Sequence, residues 1–141
     1  VGYAIGDPRM LRRLRRLQLP FAVSALAETA AVAALDDTEF SARTRLLNMT
    51  ERNRAQSALA AAGIQYVPSQ ANFILLRVGD GQAIFQELMR RGVIVRPLGN
   101  YQLPEWIRVS VGRPHDNDVF FHHLTKLISR DSSPQRPGAA V

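Results

Sequence analysis

Cysteine is absent from the 141 residues, which excludes disulfides, thiolate nucleophiles and cysteine-ligated metals. Lysine occurs once, at Lys126, so amine chemistry has a single candidate and the formal charge of +6 is almost wholly arginine. No apolar run is long enough to span a bilayer, and the first residues carry no charged-then-apolar targeting pattern. A soluble, cytoplasmic protein without membrane contact is expected. Gly-x-Ser-x-Gly, a phosphate-binding glycine loop and a dinucleotide fingerprint are all missing; Gly79-Asp-Gly81 is too short for any of them and reads as a turn. His115, His122 and His123 have neither an i, i+4 pair nor a nearby cysteine, so no metal site is expected, and His115 beside Asp116 reads as a helix-capping element.

What is present divides into two patterns. Val1-Gly-Tyr-Ala-Ile-Gly6 reads as a strand, and Asp7-Pro8 as a helix start, Asp as N-cap and Pro at the first helical position. In Met10-Leu-Arg-Arg-Leu-Arg-Arg-Leu17 the leucines recur every three residues, an apolar helical stripe ringed by arginines that should stop before Pro20. A solvated or subunit-facing helix accounts for this cluster; without interleaved aromatics it gives no support to a nucleic-acid partner. Ser24 caps a second, alanine-rich helix over 25–35, whose composition implies tight packing on both sides. Thr38 opens a long helix closed by Gly63, with Phe40, Leu47, Ala55 and Leu59 on one face and Arg, Glu, Asn and Gln on the other. At 1.5 Å per residue it reaches about 36 Å, enough to link two bodies.

After Gly63 the chain reads as strand-like 64–67 and 71–78, a helix over 82–91 ended by Gly92, strands over 93–96 and 106–111, and a last helix from Pro114 carrying Val119, Phe120, Leu124, Leu127 and Ile128. This is a two-layer α+β unit with helices on one face of a small sheet. From Ser129 the polar, breaker-rich sequence predicts a frayed tail. No internal repeat is visible.

Each of the two strands 93–96 and 106–111 carries one arginine in apolar surroundings. Alternation places Ile107, Val109 and Val111 on one face and Trp106, Arg108 and Ser110 on the other; Val93 and Val95 likewise oppose Ile94 and Arg96. Two guanidiniums near one loop suit a small anionic ligand, because the planar fork matches a carboxylate or phosphate with two bonds. Salt bridges to acidic neighbours, or plain solvation, account for them equally at this level. Asn72, at the polar lip Ser69-Gln-Ala-Asn72 before a buried strand, either faces a ligand or simply ends that strand.

Several stretches, in order, resemble the C-terminal part of histidinol-phosphate aminotransferases, fold-type I pyridoxal-phosphate enzymes. They are Val1-Gly-Tyr-Ala-Ile-Gly6, Leu19-Pro-Phe-Ala-Val-Ser24, Ala30-Ala-Val-Ala-Ala-Leu-Asp36, Val67-Pro-Ser-Gln-Ala-Asn-Phe73, Gly92-Val-Ile-Val-Arg-Pro97 and Trp106-Ile-Arg-Val-Ser-Val-Gly112. The resemblance implies an α/β enzyme overall, of which residues 1–37 are the end of the large domain, 38–63 a linking helix and 64–129 the α+β small domain; 130–141, outside the resemblance, is expected from its composition to be a disordered tail. It implies substrate binding by Arg108, with Arg96 as a second anion contact. It also implies pyridoxal 5'-phosphate as cofactor, a homodimer, and amino-group transfer between histidinol phosphate and 2-oxoglutarate in histidine biosynthesis.

The family's Schiff-base lysine and cofactor-phosphate arginine fall just upstream of the stretch matching Val1-Gly-Tyr3, outside this sequence. Lys126 lies where the family has no catalytic amine. No catalytic or cofactor-binding residue is therefore assigned, and the segment alone is expected to be inactive. An aromatic amino-acid aminotransferase or a phospho-amino-acid decarboxylase fits the two arginines as well. A stand-alone small-molecule-binding α+β module and a basic interaction protein built on Arg12 to Arg16 are the alternatives outside this chemistry.

Overall fold

In a computed structural model the chain divides into two compact units, Val1–Arg43 and the rest from Thr44 onward. The structure describes residues 1–131, with side chains described through Ile128. The frayed tail expected from Ser129 starts later than that, since residues 129–131 are still helical, and the rest of it lies outside the described residues.

The first unit begins without a strand. Residues 1–6 are exposed and belong to no strand, because a strand draws its hydrogen bonds from a neighbour and none is offered among the described residues. The Asp7 carboxylate accepts from the N–H groups of Arg9 at 2.8 Å and Met10 at 3.3 Å, and Pro8 opens α1 (Pro8–Arg15). Ser24 caps α2 (Ala25–Asp36), its Oγ accepting from Ala27 N–H at 3.2 Å. The dense packing expected of α2 is not found. No residue of α1 or α2 is buried, and Phe21 is 99% exposed, so small side chains alone do not bring a partner.

Helix α3 (Thr38–Ala61) starts at a cap supplied by Asp37, whose carboxylate accepts from Phe40 N–H at 2.8 Å. Within the second unit its burial departs from the apolar-face reading. Ala55 and Leu59 are in the core, Leu47 is exposed, and Glu51 and Arg52 are buried. Phe40, which falls in the first unit, is exposed too. The helix ends on Gly63 at φ +66°, and α4 (Gly81–Met89) ends on Gly92 at φ +78°, left-handed backbone that glycine adopts without a Cβ clash.

The second unit carries β1 (Tyr66–Val67), β2 (Phe73–Arg77), β3 (Arg96–Leu98) and β4 (Leu103–Ser110), ordered β1-β2-β4-β3 with every pair antiparallel. Both arginine-bearing strands are shifted from their expected bounds. Residues 93–95 are outside the ladder because Val93 N–H is already engaged, donating to Leu88 O at 3.0 Å to close α4. Strand β4 starts before Trp106, since Pro104 precedes the first β2–β4 pair, Arg77 with Trp106, and no β2 bond is lost there.

Leu59, Leu76, Leu88, Ile107 and Leu124 form the fully buried centre. The end of α3, helix α4 and helix α5 (Pro114–Asp131) therefore cover one face of the sheet, the two-layer arrangement expected. The turn into α4 requires glycine at Gly81: a Cβ there would stand 2.6 Å from Trp106 O and 2.8 Å from Pro104 O. At the start of α5, His115 is not the capping element. Asn117 reaches back instead, its Oδ1 accepting from Gly112 N–H at 2.9 Å and its Nδ2 donating to Gly112 O at 3.1 Å. Among the described residues no helix is long and apolar enough to cross a membrane.

Candidate functional site: a pair of arginines on the open face of the sheet

Cross-strand pairing puts Arg96 directly opposite Arg108, and Arg108 directly opposite Leu75 on its other side. Directly paired residues project to the same face. With Ile107 buried beneath α4 and α5, that face is the one the helices leave uncovered. Phe73, Leu75, Trp106 and Arg108 are half-buried there and Arg96 is exposed.

Like charges directly opposite one another on a sheet are unfavourable, and no carboxylate among the described residues relieves these two. Arg9, Arg43, Arg54, Arg77, Arg90, Arg91 and Arg113 each lie within ion-pair distance of a carboxylate, whereas among the described residues neither Arg96 nor Arg108 does. The contrast is sharpest at Arg77, two residues from Leu75 on the same strand, which Glu105 takes up at 2.9 Å. Each member of the pair rests on an aromatic ring instead. The guanidinium carbon of Arg108 lies 5.2 Å from the Phe73 ring centroid and that of Arg96 5.7 Å from the Tyr101 centroid, both within cation–π range. Arg96 Nη2 also donates to the Tyr101 hydroxyl at 3.3 Å. Ring contacts orient a guanidinium and leave N–H groups for a ligand. Of the readings left open for these arginines, salt-bridging to acidic neighbours is not found among the described residues, which leaves solvation and an anionic ligand.

Asn72 lies one residue beyond the β2 ladder. Its side chain is exposed, and its carbonyl accepts from Val111 N–H at 2.8 Å, extending the β2–β4 pairing beyond Phe73 and Ser110, while Arg108 sits opposite Leu75 at the centre of that ladder. The histidines and Lys126 are apart from this face: all four belong to α5, whose Phe120, Leu124 and Leu127 pack on the opposite side. Burial first, then His122, Arg91 and Lys126, push the pKa of His123 down, which favours a neutral ring. A cleft of about 410 Å³ opens between Gly92–Val95, Val109, Ser110 and the start of α5. Its lining contains no arginine or lysine.

Sequence reasoning missed the support beneath this site. Glu51 accepts from Arg54 Nη2 at 2.7 Å and from Asn117 Nδ2 at 2.7 Å, and Arg54 also reaches Asp118 and the Pro114 carbonyl. The bond from Arg54 holds the Glu51 carboxyl below the usual carboxylate range against the opposing effect of burial, with Asn117 assisting. Glu51, then Asp118, push the Arg54 pKa up. One residue along, Arg52 donates to Gln70 O at 2.8 Å and Ala71 O at 3.3 Å. The recurrence of Asn48, Arg52 and Gln56 at helical spacing was the available signal for this support: all three bond the 69–71 segment.

The comparisons with known proteins bear on the whole chain. The pattern of aminotransferase class I and II matches residues 1–124. Histidinol-phosphate aminotransferase 2 of Ralstonia nicotianae is 49% identical over 134 residues, which cover 92% of this chain and 36% of that protein. Histidinol-phosphate aminotransferase 1 of Cupriavidus pinatubonensis is 41% identical over 132 residues, covering 91% and 35%. Among solved structures, histidinol-phosphate aminotransferase from Sinorhizobium meliloti in complex with pyridoxal-5'-phosphate superposes with a TM-score of 0.76 at 25% identity, over 89% of this chain and 35% of that one. The chain thus spans about a third of the length of these relatives. With the family's pattern running through both units and the arginine-bearing sheet inside the matched region, the chain belongs to the class I and II aminotransferases.

Proposed function

We propose that this chain is the substrate-anchoring part of a histidinol-phosphate aminotransferase, which moves an amino group between histidinol phosphate and 2-oxoglutarate. Residues 1–37 are read as the end of its large domain, 38–63 as the linking helix and 64–129 as the small domain. The complete enzyme is read as a cytoplasmic homodimer. The observation that carries the reading is the facing pair Arg96 and Arg108, without a carboxylate among the described residues and each set on a ring. Two fixed cations on an open face favour an anionic group, and the guanidinium fork sets its direction as well as its charge. The names of the relatives supply the substrate.

In this reading Arg108, half-buried on its strand, takes the substrate's anionic group with two parallel N–H donors. Arg96, exposed at the edge strand, adds a second contact, and Asn72 offers an amide at the lip of the same strands. The three bind and orient; none is assigned a proton. Pyridoxal 5'-phosphate, the cofactor proposed for the whole enzyme, supplies an electron sink for the carbon that loses its proton. The described residues do not fit a site for it on their own: the only lysine, Lys126, is on α5, behind the sheet from the arginines. No step through the cofactor is therefore assigned to this chain.

The test is made in a complete aminotransferase carrying this segment. Arg108→Ala removes a charge-assisted bond of about 1.5–3 kcal/mol, so kcat/KM for histidinol phosphate should fall roughly one to two decades. Arg108→Lys keeps the charge, loses the fork, and should fall between. The absorption of bound cofactor should be unchanged in both. Unaltered kinetics, or release of cofactor, would remove Arg108 from substrate anchoring. Comparable kcat/KM for an aromatic amino acid, or release of carbon dioxide from a phospho-amino acid, would move the assignment to one of the related activities.

A further inference from the structure

Arg52 is only 8% exposed, and among the described residues no carboxylate lies within 4 Å of it. Its partners are all on one short segment: Gln70 O at 2.8 Å, Ala71 O at 3.3 Å and Gln70 Oε1 at 3.4 Å. Its Nε is buried without a partner among the described residues. An uncompensated buried guanidinium with an unsatisfied donor is a costly way to hold a loop, and an apolar side chain would be the cheaper filling. What it holds explains the choice. Ala71 is two residues before Phe73, the ring under Arg108, and Asn72 between them accepts from Val111 N–H.

The same segment is gripped from both sides of Arg52. Gln56 Oε1 accepts from Ser69 N–H at 2.9 Å, and Asn48 Nδ2 donates to Ala71 O at 3.5 Å. Glu51 meanwhile holds the other strand end through Asn117 and Gly112. Adjacent residues of α3 therefore secure the start of β2 and the exit of β4, the two ends that meet at the pair Phe73 and Ser110.

We infer that Arg52 is a positioning residue for the anion site: by clamping the Gln70 and Ala71 carbonyls it sets the Phe73 ring, and the ring sets the plane in which Arg108 presents its donors. This rests on the reading of Arg108 as the substrate's anion contact. It adds that the contact is aimed from the linking helix, and not by its strand alone.

The experiment uses the 141-residue chain, isotope-labelled, with inorganic phosphate as the probe. With its guanidinium 5.2 Å from the Phe73 centroid, Arg108 should show an upfield ring-current shift of its side-chain resonances, a readout of the ring–guanidinium geometry that global stability does not move. Arg52 reaches both carbonyls from Nη1 and the Gln70 side chain from Nη2, so Arg52→Lys keeps a cation and a donor for the carbonyls but loses the planar fork that adds Gln70 Oε1; Arg52→Met keeps only the stem. The ring-current shift and the phosphate affinity should both fall in the order Arg, Lys, Met. The Met variant should bind phosphate about tenfold more weakly, the scale of one charge-assisted bond. Leu127→Ala, which loosens the core from α5, should leave the ring-current shift in place. An Arg108 shift and a phosphate affinity equal to those of the unaltered chain in Arg52→Met, or in Arg52→Gln should the Met variant not fold, would overturn the inference. If phosphate leaves Arg108 unperturbed in the unaltered chain, the anion-site reading fails. The ring-current series then still decides whether Arg52 sets Arg108.

Discussion

Glu51 shows how a single side chain can govern this sheet from the helix beneath it. It is 4% exposed and accepts from Arg54 and Asn117, so its charge is compensated chiefly on one side by a half-exposed guanidinium. Its folded pKa is lowered, with the Arg54 bond the largest cause. The carboxylate form is thus favoured by folding. The stability it contributes is complete above the ordinary carboxylate pKa and is lost as pH falls through the lowered value. Glu51→Gln should cost about 1.5–3 kcal/mol near neutral pH and flatten the decline in stability toward about pH 3.5. Urea unfolding at both pH values checks this; an acid decline as steep in the variant as in the parent would place the sensitive carboxylate elsewhere.

Among elements, helix α4 is the one most tightly constrained by backbone contact. Asp80 caps it, Oδ1 accepting from Gln82 N–H at 3.0 Å and Ala83 N–H at 2.9 Å, and Gly81 lets its first turn rest against the carbonyls of Pro104 and Trp106. Alanine at this position would gain up to about 1 kcal/mol in helix propensity. The clash with two main-chain oxygens cannot be relieved by a rotamer change, and overpacking of this kind costs about 1–3 kcal/mol. Gly81→Ala should therefore lower the urea midpoint without changing the slope. Because Trp106 begins the β2–β4 pairing that ends at Ser110, the Arg108 resonances should shift as well. A midpoint at or above the parent's would show that β4 yields more easily than its central position suggests.

At the scale of the whole molecule the two units differ in what they bury. Residues 1–43 place none of their large apolar side chains in the interior, while the second unit centres on Leu59, Leu76, Leu88, Ile107 and Leu124. Local opening free energy follows buried apolar contact. Amide exchange should accordingly be fast through α1 and α2 and slowest in β2, β4 and the middle of α5. Equal protection from α1 through α5 would mean that the first unit is stabilised by something other than burial within itself.

Much of this organisation was legible in the residues. Asp7, Ser24, Gly63 and Gly92 mark helix ends through local geometry that needs no partner. The alternation in Trp106-Ile-Arg-Val-Ser sorted Ile107 from Arg108 because side-chain period is a property of the strand itself. The ordered motifs also pointed to the aminotransferases. What the residues could not decide were the relations between elements. Val1 to Gly6 has strand composition but no ladder. Ala25 to Leu35 has the small side chains of a packed helix but no buried face. Glu51 and Arg52, on the polar side of the long helix, are buried. Whether Arg96 and Arg108 meet a carboxylate depended on the register of β3 on β4, with Pro97 opposite Ile107 and a shift before Leu98. Local propensity is written within a few residues, but a hydrogen-bond partner, a counter-charge or a ring beneath a guanidinium comes from a distant segment, and only the tertiary structure brings it there.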